Sequence, residues 1–588
     1  MNTAVLEFDR PSSWIPAFAG TTAAGLRLFP QRPGGIDLAT FPSHNLPMTL
    51  DLDRRLLLKA GTLGLGALAM PAVAQIASRV GFTHGVASGE PRQRSVMLWT
   101  RHVPVRGDVS RLGWQVAEAG NPRRIVAEGT ILATAERDWC VKVVAQGLKP
   151  GRSYAYRFLN LDGAAAASGR TRTLPEGRTP RFTLGLFSCA NLAFGHFNAY
   201  AHAAGRPDLD LLVHLGDYFY EYQVGKYPSP RDALPGRILD PAGEAVALAD
   251  YRLRLAAYRA DPDLQRLHAS APMVMMWDDH ETANDAWSGG AENHDPAREG
   301  PWEARKAAAR RASREWLPVS DNSWESYEIG DLATLFRPET RLTARSRPLQ
   351  FGEAMRRGED LKASLMRFRD GAWRDPERTM LGGEQESWLA GAFKRSTGQG
   401  TRWQLLAQQT IMGSFALPPE ARAWLRADAP EEVKRVTAVG AAAAEVGLPL
   451  NLDAWDGYPA ARDRLLRSAL DADANLVVLS GDSHNGWAFD LDLAGTAAGA
   501  EFAGPSVTSP GLEAYTPGIA PAEVERALRA RNPALKWAEL QRRGYMTLTL
   551  TRERATGEWL SLDTVRTRST RLASRHAMSV PRGANRFA

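Results

Sequence analysis

Residues 211–222, LLVHLGDYFYEY, decide how the chain is read. The mostly apolar run 211–215 has the length and composition of a buried strand. It stops at Gly216, and Asp217, Tyr218, Phe219, Tyr220 and Glu221 follow at once. A carboxylate and a phenol three residues apart at a strand tip can face one pocket. Alone, the Gly-Asp pair reads as a strand end that caps the next helix, so any chemistry depends on partners elsewhere.

Three other apolar runs end in the same manner. Residues 182–187 (FTLGLF) stop at Ser188-Cys189-Ala190-Asn191, 272–277 (PMVMMW) at Asp278-Asp279-His280-Glu281, and 475–479 (NLVVL) at Ser480-Gly481-Asp482-Ser483-His484-Asn485. Strands alternating with helical tracts predict an α/β sheet core, and such sheets bind ligands beyond the carboxyl ends of their strands. Cys189, Asp217 with Tyr220, Asp279 with His280 and Asn284, and Asp482 with His484 then form a metal-type set. Carboxylate and phenolate suit a hard cation such as ferric iron or calcium, while a thiolate favours iron or zinc over calcium alone. A free tyrosine titrates near 10, so Tyr220 ligates only beside a strongly acidifying cation. Two metals sharing Asp217 would make a two-metal hydrolytic site. His214 reads as a core histidine, Glu221 and Tyr222 as supports, Asp278 as a weaker alternative to Asp279, and His294 and Asp295 as solvated loop residues.

The 588 residues, 44% apolar and 23% charged, describe a globular chain too long for one domain. A net charge of +6 without a dense Lys/Arg tract argues against a nucleic-acid partner. Two cysteines, Cys140 and Cys189, exclude a disulfide scaffold.

Residues 51–75, DLDRRLLLKAGTLGLGALAMPAVAQ, carry Arg54 and Arg55 before an apolar stretch and an Ala72-Val73-Ala74 end. This predicts a twin-arginine signal over 48–74, cleaved after Ala74, with the twin-arginine translocase as partner and a periplasmic or secreted product. The uncharged run 60–69 is too short to span roughly 30 Å of hydrocarbon, so no stable membrane anchor is expected. Gly61, Gly64 and Gly66 follow no strand and form no nucleotide loop. Met48 reads as the initiator, and 1–47 as a non-native or disordered upstream segment.

Residues 80–176 hold short β-type runs at turn-punctuated spacing, which predicts an all-β sandwich with Cys140 as a buried hydrophobe. After a Pro/Gly linker at 174–180, the catalytic unit is expected over 181–570. Helical insertions are expected at 247–267, 302–316, 358–370, 384–394 and 420–446, the last broken at Pro430. A hairpin of 545–551 and 558–564 is expected to turn at 555–557.

The stretches FTHGVASGEP (82–91), MLWTR (97–101), FSCAN (187–191), HLGDYFYEY (214–222), WDDHETAND (277–285), NLDAWDGYPAAR (451–462), LSGDSHNGW (479–487) and GPSVTSPG (504–511) occur together in order. With them the chain resembles the PhoD-like alkaline phosphatases, relatives of the purple acid phosphatases among the metallophosphoesterases. The resemblance implies an α/β metallophosphoesterase-like sandwich domain with helical insertions, preceded by an all-β fibronectin-like sandwich. It implies hydrolysis of small phosphate esters through a metal-bound hydroxide, with Fe3+ and Ca2+ in a two- or three-metal site and zinc as the alternative. Cys189, Asp217 and Tyr220 would be iron-side ligands with Asp217 bridging, and Asp482 and His484 would be metal ligands supplied by the Gly-Asp-x-His block. Asp279 and Asn284 would serve a second metal. His280 would stabilise the oxyanion or protonate the leaving group, and Trp455-Asp456-Gly457-Tyr458 would shape the pocket. Related sequences also include phosphodiesterase or phospholipase D-like activity on the same site, and a non-catalytic phosphate- or metal-binding surface protein is the remaining alternative. The chain departs from the family at Glu90, where Asp is usual, and at Arg337-Pro338-Glu339-Thr340-Arg341, where Pro338-Glu339 replaces Leu-Asp ahead of the phosphate-clamp candidates Arg341 and Arg345.

Overall fold

The computed structural model describes residues 80–588 apart from 162–164, 355–358, 426–430 and 517. The export signal, its cleavage point after Ala74, segment 1–47 and the break at Pro430 lie outside the described residues.

Seven strands come first: β1 (Val86–Gly89), β2 (Ser95–Arg101), β3 (Val109–Glu118), β4 (Asn121–Thr134), β5 (Cys140–Gln146), β6 (Ser153–Asn160) and β7 (Ala166–Arg172). Strands β4-β3-β6-β7 form a 4-stranded antiparallel sheet. The antiparallel trio β1-β2-β5 faces it. Side chains alternate across each strand, so Val96, Leu98, Val116, Val141, Tyr156 and Phe158 meet between the layers as one core. This is the all-β sandwich.

The second unit begins with β8 (Arg181–Phe187), β9 (Leu211–His214) and β10 (Met273–Met275), parallel and in register at Leu186, Val213 and Val274. Next come β11 (Glu325–Ile329), β12 (Ala333–Arg337), β13 (Trp403–Ala407), β14 (Leu476–Ser480), β15 (Gly486–Leu493), β16 (Thr496–Ala503) and β17 (Leu535–Glu539), which form a 7-stranded sheet. The last three, β18 (Gly544–Thr551), β19 (Arg554–Leu562) and β20 (Leu572–Pro581), return to β8. Strand β1 pairs parallel with β10 at Gly89 and Met273, so the sandwich trio and the central strands make one 9-stranded sheet.

Period-two alternation builds the layers. Leu184, Leu186, Leu211, Val213 and Val274 meet Leu335, Leu405, Val477 and Leu479 in a core between the two large sheets. The alternate residues Phe187, Leu212, Met273 and Met275 turn outward. There they pack under α1 (Asn198–Ala204), α2 (Leu248–Arg259), α3 (Pro262–His268) and α4 (Trp302–Trp316). On the far sheet Phe336, Leu406, Leu476 and Val478 do likewise. Of the later helices, α5 (Leu361–Asp370) and α7 (Glu431–Glu445) share a small separate core, whereas α6 (Gly383–Gly398), α8 (Pro459–Asp471) and α9 (Pro521–Arg531) cover that sheet.

Three boundaries differ from the sequence reading. The tract 247–267 is two helices, because the Asp261 carboxylate accepts from the N–H groups of Asp263 and Leu264 and Pro262 starts a new helix. The C-terminal hairpin turns at Arg552-Glu553, and 555–557 lie inside β19. Strand β20 extends the 9-stranded sheet past residue 570.

Candidate metal centre

The carboxyl ends of β8, β9 and β10 in one sheet and of β14 in the other converge at one edge of the layered core. Close approach there demands glycine twice. A Cβ on Gly216, whose φ is 110°, would sit 2.5 Å from the Asp278 Cβ, and one on Gly481 would sit 2.6 Å from the Ser188 Cβ. Cys189, Asp217, Asp482 and His484 hold φ values of 58°, 52°, 59° and 64°. Such left-handed backbone costs energy in non-glycine residues and persists where surroundings over-determine it. One determinant is Glu281, a buried residue the sequence reading passed over. Its carboxylate accepts from the backbone N–H of Asp217 (3.1 Å), Tyr218 (2.5 Å) and Asp278 (2.7 Å), tying the β9 and β10 tips together.

Ligand-type atoms gather in three overlapping groups, each within 4.8 Å: Cys189, Asp217 and His484; Asp217, Asp279 and His280; and Asp278, Asp279 and Asp482. Asp217 and Asp279 each belong to two. All are buried, and Asp217 Oδ1, Asp278 Oδ2, Asp279 Oδ1 and Asp482 Oδ2 accept no hydrogen bond. Unpaired buried carboxylate oxygens are costly. Burial raises the Asp217 carboxyl well above the usual range, with His280 opposing and Asp279 and Asp278 adding to it. Burial, then Asp278, does the same to Asp482 against Arg341. A cation bound among these oxygens removes that penalty, and the donor chemistry divides in two. The Cys189 side offers sulfur, imidazole, carboxylate and phenol, and the Asp278–Asp279–Asp482 side offers oxygen alone.

Tyr220 donates to Asp217 Oδ2 at 2.9 Å, lies 3.1 Å from His484 Nε2, and accepts from Ser509 Oγ at 2.8 Å. Burial, then Asp217, pushes its phenol well up. His484 Nδ1 is 2.6 Å from the Pro510 carbonyl, which accepts only from N–H; that leaves Nε2 bearing the lone pair that faces the centre. Burial lowers this imidazole to about 3, so it stays neutral. His280 is the opposite case. Burial disfavours its charge, but Asp279, Glu221 and Asp217 outweigh that and hold it well above the usual range. Its Nδ1 meets Glu221 Oε2 at 2.8 Å, and Glu221 Oε1 accepts from the Asn284 N–H. Asn284 accepts from Tyr222 at 2.8 Å and donates to Glu292 at the rim. His214, bonded to Tyr200 at 2.8 Å, is a core residue.

The altered 337–341 segment forms a loop around its own glutamate. Glu339 accepts from the N–H groups of Arg341, Leu342 and Thr343 and from the Trp277 indole. This delivers the fully buried Arg341 to Asp278 at 2.5 Å and Asp453 at 2.7 Å. Its Nη2, free of hydrogen bonds, lies 3.8 Å from both Asp279 and Asp482. Arg345 backs Asp453 from the other side. Asp278 therefore stands in the centre beside Asp279 and is more than a weaker alternative to it. Asp453, inside the NLDAWDGYPAAR stretch, holds Arg341 in place, whereas Trp455, Asp456 and Tyr458 bond to Gln408, Phe415 and Ser346 in the surrounding frame. His294 is not solvated: its side chain is 2% exposed, 3.0 Å from Glu299 and against Trp302.

The chain matches the family described as PhoD-like phosphatase over residues 184–559, and that family's N-terminal domain over 67–175. Alkaline phosphatase D of Bacillus subtilis (strain 168) is 32% identical over 497 residues, covering 80% of this chain and 76% of that protein. The solved structure of PhoD is similar with a TM-score of 0.70 and 28% identity, over 87% of this chain and 92% of that one.

Proposed function

The chain belongs to the PhoD-like phosphatase family and is a phosphoric ester hydrolase, and from that premise we propose an exported, cation-dependent phosphoesterase acting at the strand-end centre. The convergence of unpartnered oxygens from Asp217, Asp278, Asp279 and Asp482 carries the reading. Cys189, Asp217, Tyr220 and His484 would hold ferric iron, with zinc as the alternative. Asp279, Asp482 and Asp278 would hold a hard cation such as calcium, with Asn284 at its rim and Asp217 shared. Bound there, the cations supply positive charge for the phosphoryl oxygens and acidify a water.

The chain's own residues do the rest. Arg341 offers its unspent N–H to a phosphoryl oxygen while Asp278 and Asp453 fix its plane. Glu221 fixes the His280 ring and keeps it charged, which suits it to protonate the departing alkoxide or steady the oxyanion. Burial of the whole set excludes bulk water and strengthens each contact.

Metal analysis of the purified full chain alongside 4-nitrophenyl phosphate hydrolysis tests this. Iron bound through Tyr220 gives a visible phenolate absorption. A colourless, iron-free and fully active preparation replaces iron by zinc, and full activity without any metal sinks the cation. Export is tested by changing Arg54 and Arg55 to Lys: retention inside the cell is expected, and unchanged export refutes the signal. Among the described residues no helix is long and apolar enough to cross a membrane.

A further inference from the structure

Strand β13 sends no residue into the three ligand groups, although its neighbours do the opposite. It pairs parallel with β12 on one side and β14 on the other, so its carboxyl end lies between the tips that lead to Arg341 and Asp482. Two residues beyond that end comes Gln409, fully buried. Its Nε2 donates to the Trp277 carbonyl at 2.6 Å, and its Oε1 accepts from Thr340 Oγ1 at 2.7 Å. The Gln409 carbonyl accepts from the Gly481 N–H at 2.6 Å. Each partner immediately precedes a member of the centre in the chain: Trp277 before Asp278, Thr340 before Arg341, and Gly481 before Asp482.

These bonds cross between layers. Trp277 follows β10 in the 9-stranded sheet, whereas Thr340 and Gly481 follow β12 and β14 in the 7-stranded sheet. The oxygen-only ligand group straddles the same gap, with Asp278 and Asp279 from one sheet and Asp482 from the other, all within 4.8 Å. Like charges that close repel, so the tips need a tie that holds them together before a cation arrives. Arg341 draws them together from inside the centre, and Gln409 does so from behind. The residue type fits the task. An amide offers a donor and an acceptor at once and carries no charge. A lysine here would compete with the cation. A glutamate would add repulsion and lose the bond to the Trp277 carbonyl, which only accepts. The preceding residue gives the contrast. Gln408 is equally buried, but its amide accepts from the Trp455 indole at 3.0 Å and donates to the Thr410 carbonyl. Neither partner adjoins Asp278, Arg341 or Asp482 in the chain.

We propose that Gln409 is a positioning residue for the reaction, holding the tips that bear Asp278, Arg341 and Asp482 at the spacing a cation and a phosphoryl group require. The proposal rests on the phosphoesterase reading and adds to it a residue from a strand that supplies no ligand.

Three variants test it. Gln409→Met keeps the volume and removes both side-chain bonds, Gln408→Met does the same one residue away, and Thr340→Val removes one bond alone. Each full-length protein is stripped with a chelator and titrated with calcium by calorimetry, and kcat/KM on 4-nitrophenyl phosphate is then measured with the cation restored. Gln409→Met is expected to bind calcium about 10–100-fold more weakly, as when a group that orients metal ligands from behind is lost, and to lose kcat/KM with it. Thr340→Val should weaken calcium binding by about fivefold, the effect of one hydrogen bond. Gln408→Met should melt lower but keep the parent's calcium affinity and kcat/KM. Equal calcium affinity in folded Gln409→Met and the parent, or an equal loss in Gln409→Met and Gln408→Met, overturns the proposal. Should Gln409→Met not fold, unchanged calcium affinity in Thr340→Val overturns it. A parent that binds calcium but does not hydrolyse the ester overturns the hydrolase reading instead, and the affinities still decide Gln409.

Discussion

Two of the buried clusters of charged groups among the described residues solve opposite problems. At the strand-end centre four carboxylates converge with unspent lone pairs, and one guanidinium, Arg341, answers them. At the junction of the sandwich with the central unit the charges are positive and dispersed over ring faces. Arg259 lies 4.2 Å over Trp99 and Arg101 lies 5.0 Å over Trp316. The Trp99 indole donates to the Glu315 carbonyl at 2.8 Å, and Arg101 also pairs with Asp138 at 2.9 Å. A cation over an indole face has its charge met within the protein, although Arg259 Nε and Nη1 have no hydrogen-bond partner. The charge of the convergent carboxylates is not met in full, and they need something from outside. Burial of charge alone marks neither function nor stability; what decides is whether the groups can satisfy one another.

The sharpest way to break the contrast is Asp217→Asn. It keeps the shape and removes the charge shared by two ligand groups. Turnover of 4-nitrophenyl phosphate is expected to fall by at least about 10³-fold, about 4 kcal/mol of transition-state stabilisation. The cation-free protein should melt no lower, because a buried like charge is gone. Activity within tenfold of the parent would mean that the convergence is not the reaction centre.

The complementary change is Trp99→Ala, which strips Arg259 of its ring and opens a cavity in the junction. Denaturant unfolding should show a loss of about 3–5 kcal/mol, while kcat/KM of the remaining folded enzyme stays within about twofold. A variant of normal stability but poor activity would reverse the roles assigned to the two clusters.

The two clusters were not equally legible in the sequence. The four strand tips were readable because each is a short apolar run ended by polar residues, a purely local signal. So were Cys189, Asp217, Tyr220, Asp279, His280, Asp482 and His484 as neighbours, since parallel strands put their carboxyl ends together. Asp278 reads in sequence as the lesser of two adjacent carboxylates because its orientation depends on Arg341, 63 residues on, and Arg341 depends on Asp453, 112 residues further. No local pattern announces such a chain of ion pairs. Glu281 was overlooked because a carboxylate that accepts backbone N–H looks, in sequence, like any charged residue after a strand. The junction was illegible for a related reason: Trp99, Arg259 and Trp316 come from a strand and two helices, joined by the parallel pairing of β1 with β10.

Glu281→Gln sharpens the picture inside the centre. The amide keeps one acceptor oxygen but turns an N–H₂ toward backbone donors, loosening the tips that carry Asp217 and Asp278. Cation affinity, followed by titration calorimetry, should weaken by about 10–100-fold, as for other residues that orient ligands from behind. Excess cation should restore most of the activity. A lower melting temperature with unchanged cation affinity would make Glu281 a structural tie only.

The smallest effect belongs to the junction and concerns pH. His84 is fully buried, 5.0 Å from the Trp316 ring, with its Nδ1 2.7 Å from Thr83 Oγ1 and its Nε2 unpartnered. Burial, then Arg101 and Arg259, holds its imidazole well below the ordinary value. The folded protein therefore keeps His84 neutral at a pH where the unfolded chain, titrating near 6.5, already binds a proton. Stability from this group is complete above about 6.5 and is lost as pH falls below it, by at most about 1.4 kcal/mol per pH unit. Urea midpoints at pH 7.5 and 5.5 should differ more in the parent than in His84→Gln, which carries no titrating ring. Equal pH dependence in the two proteins would show that neither burial nor the junction's cations keep His84 neutral in the folded protein.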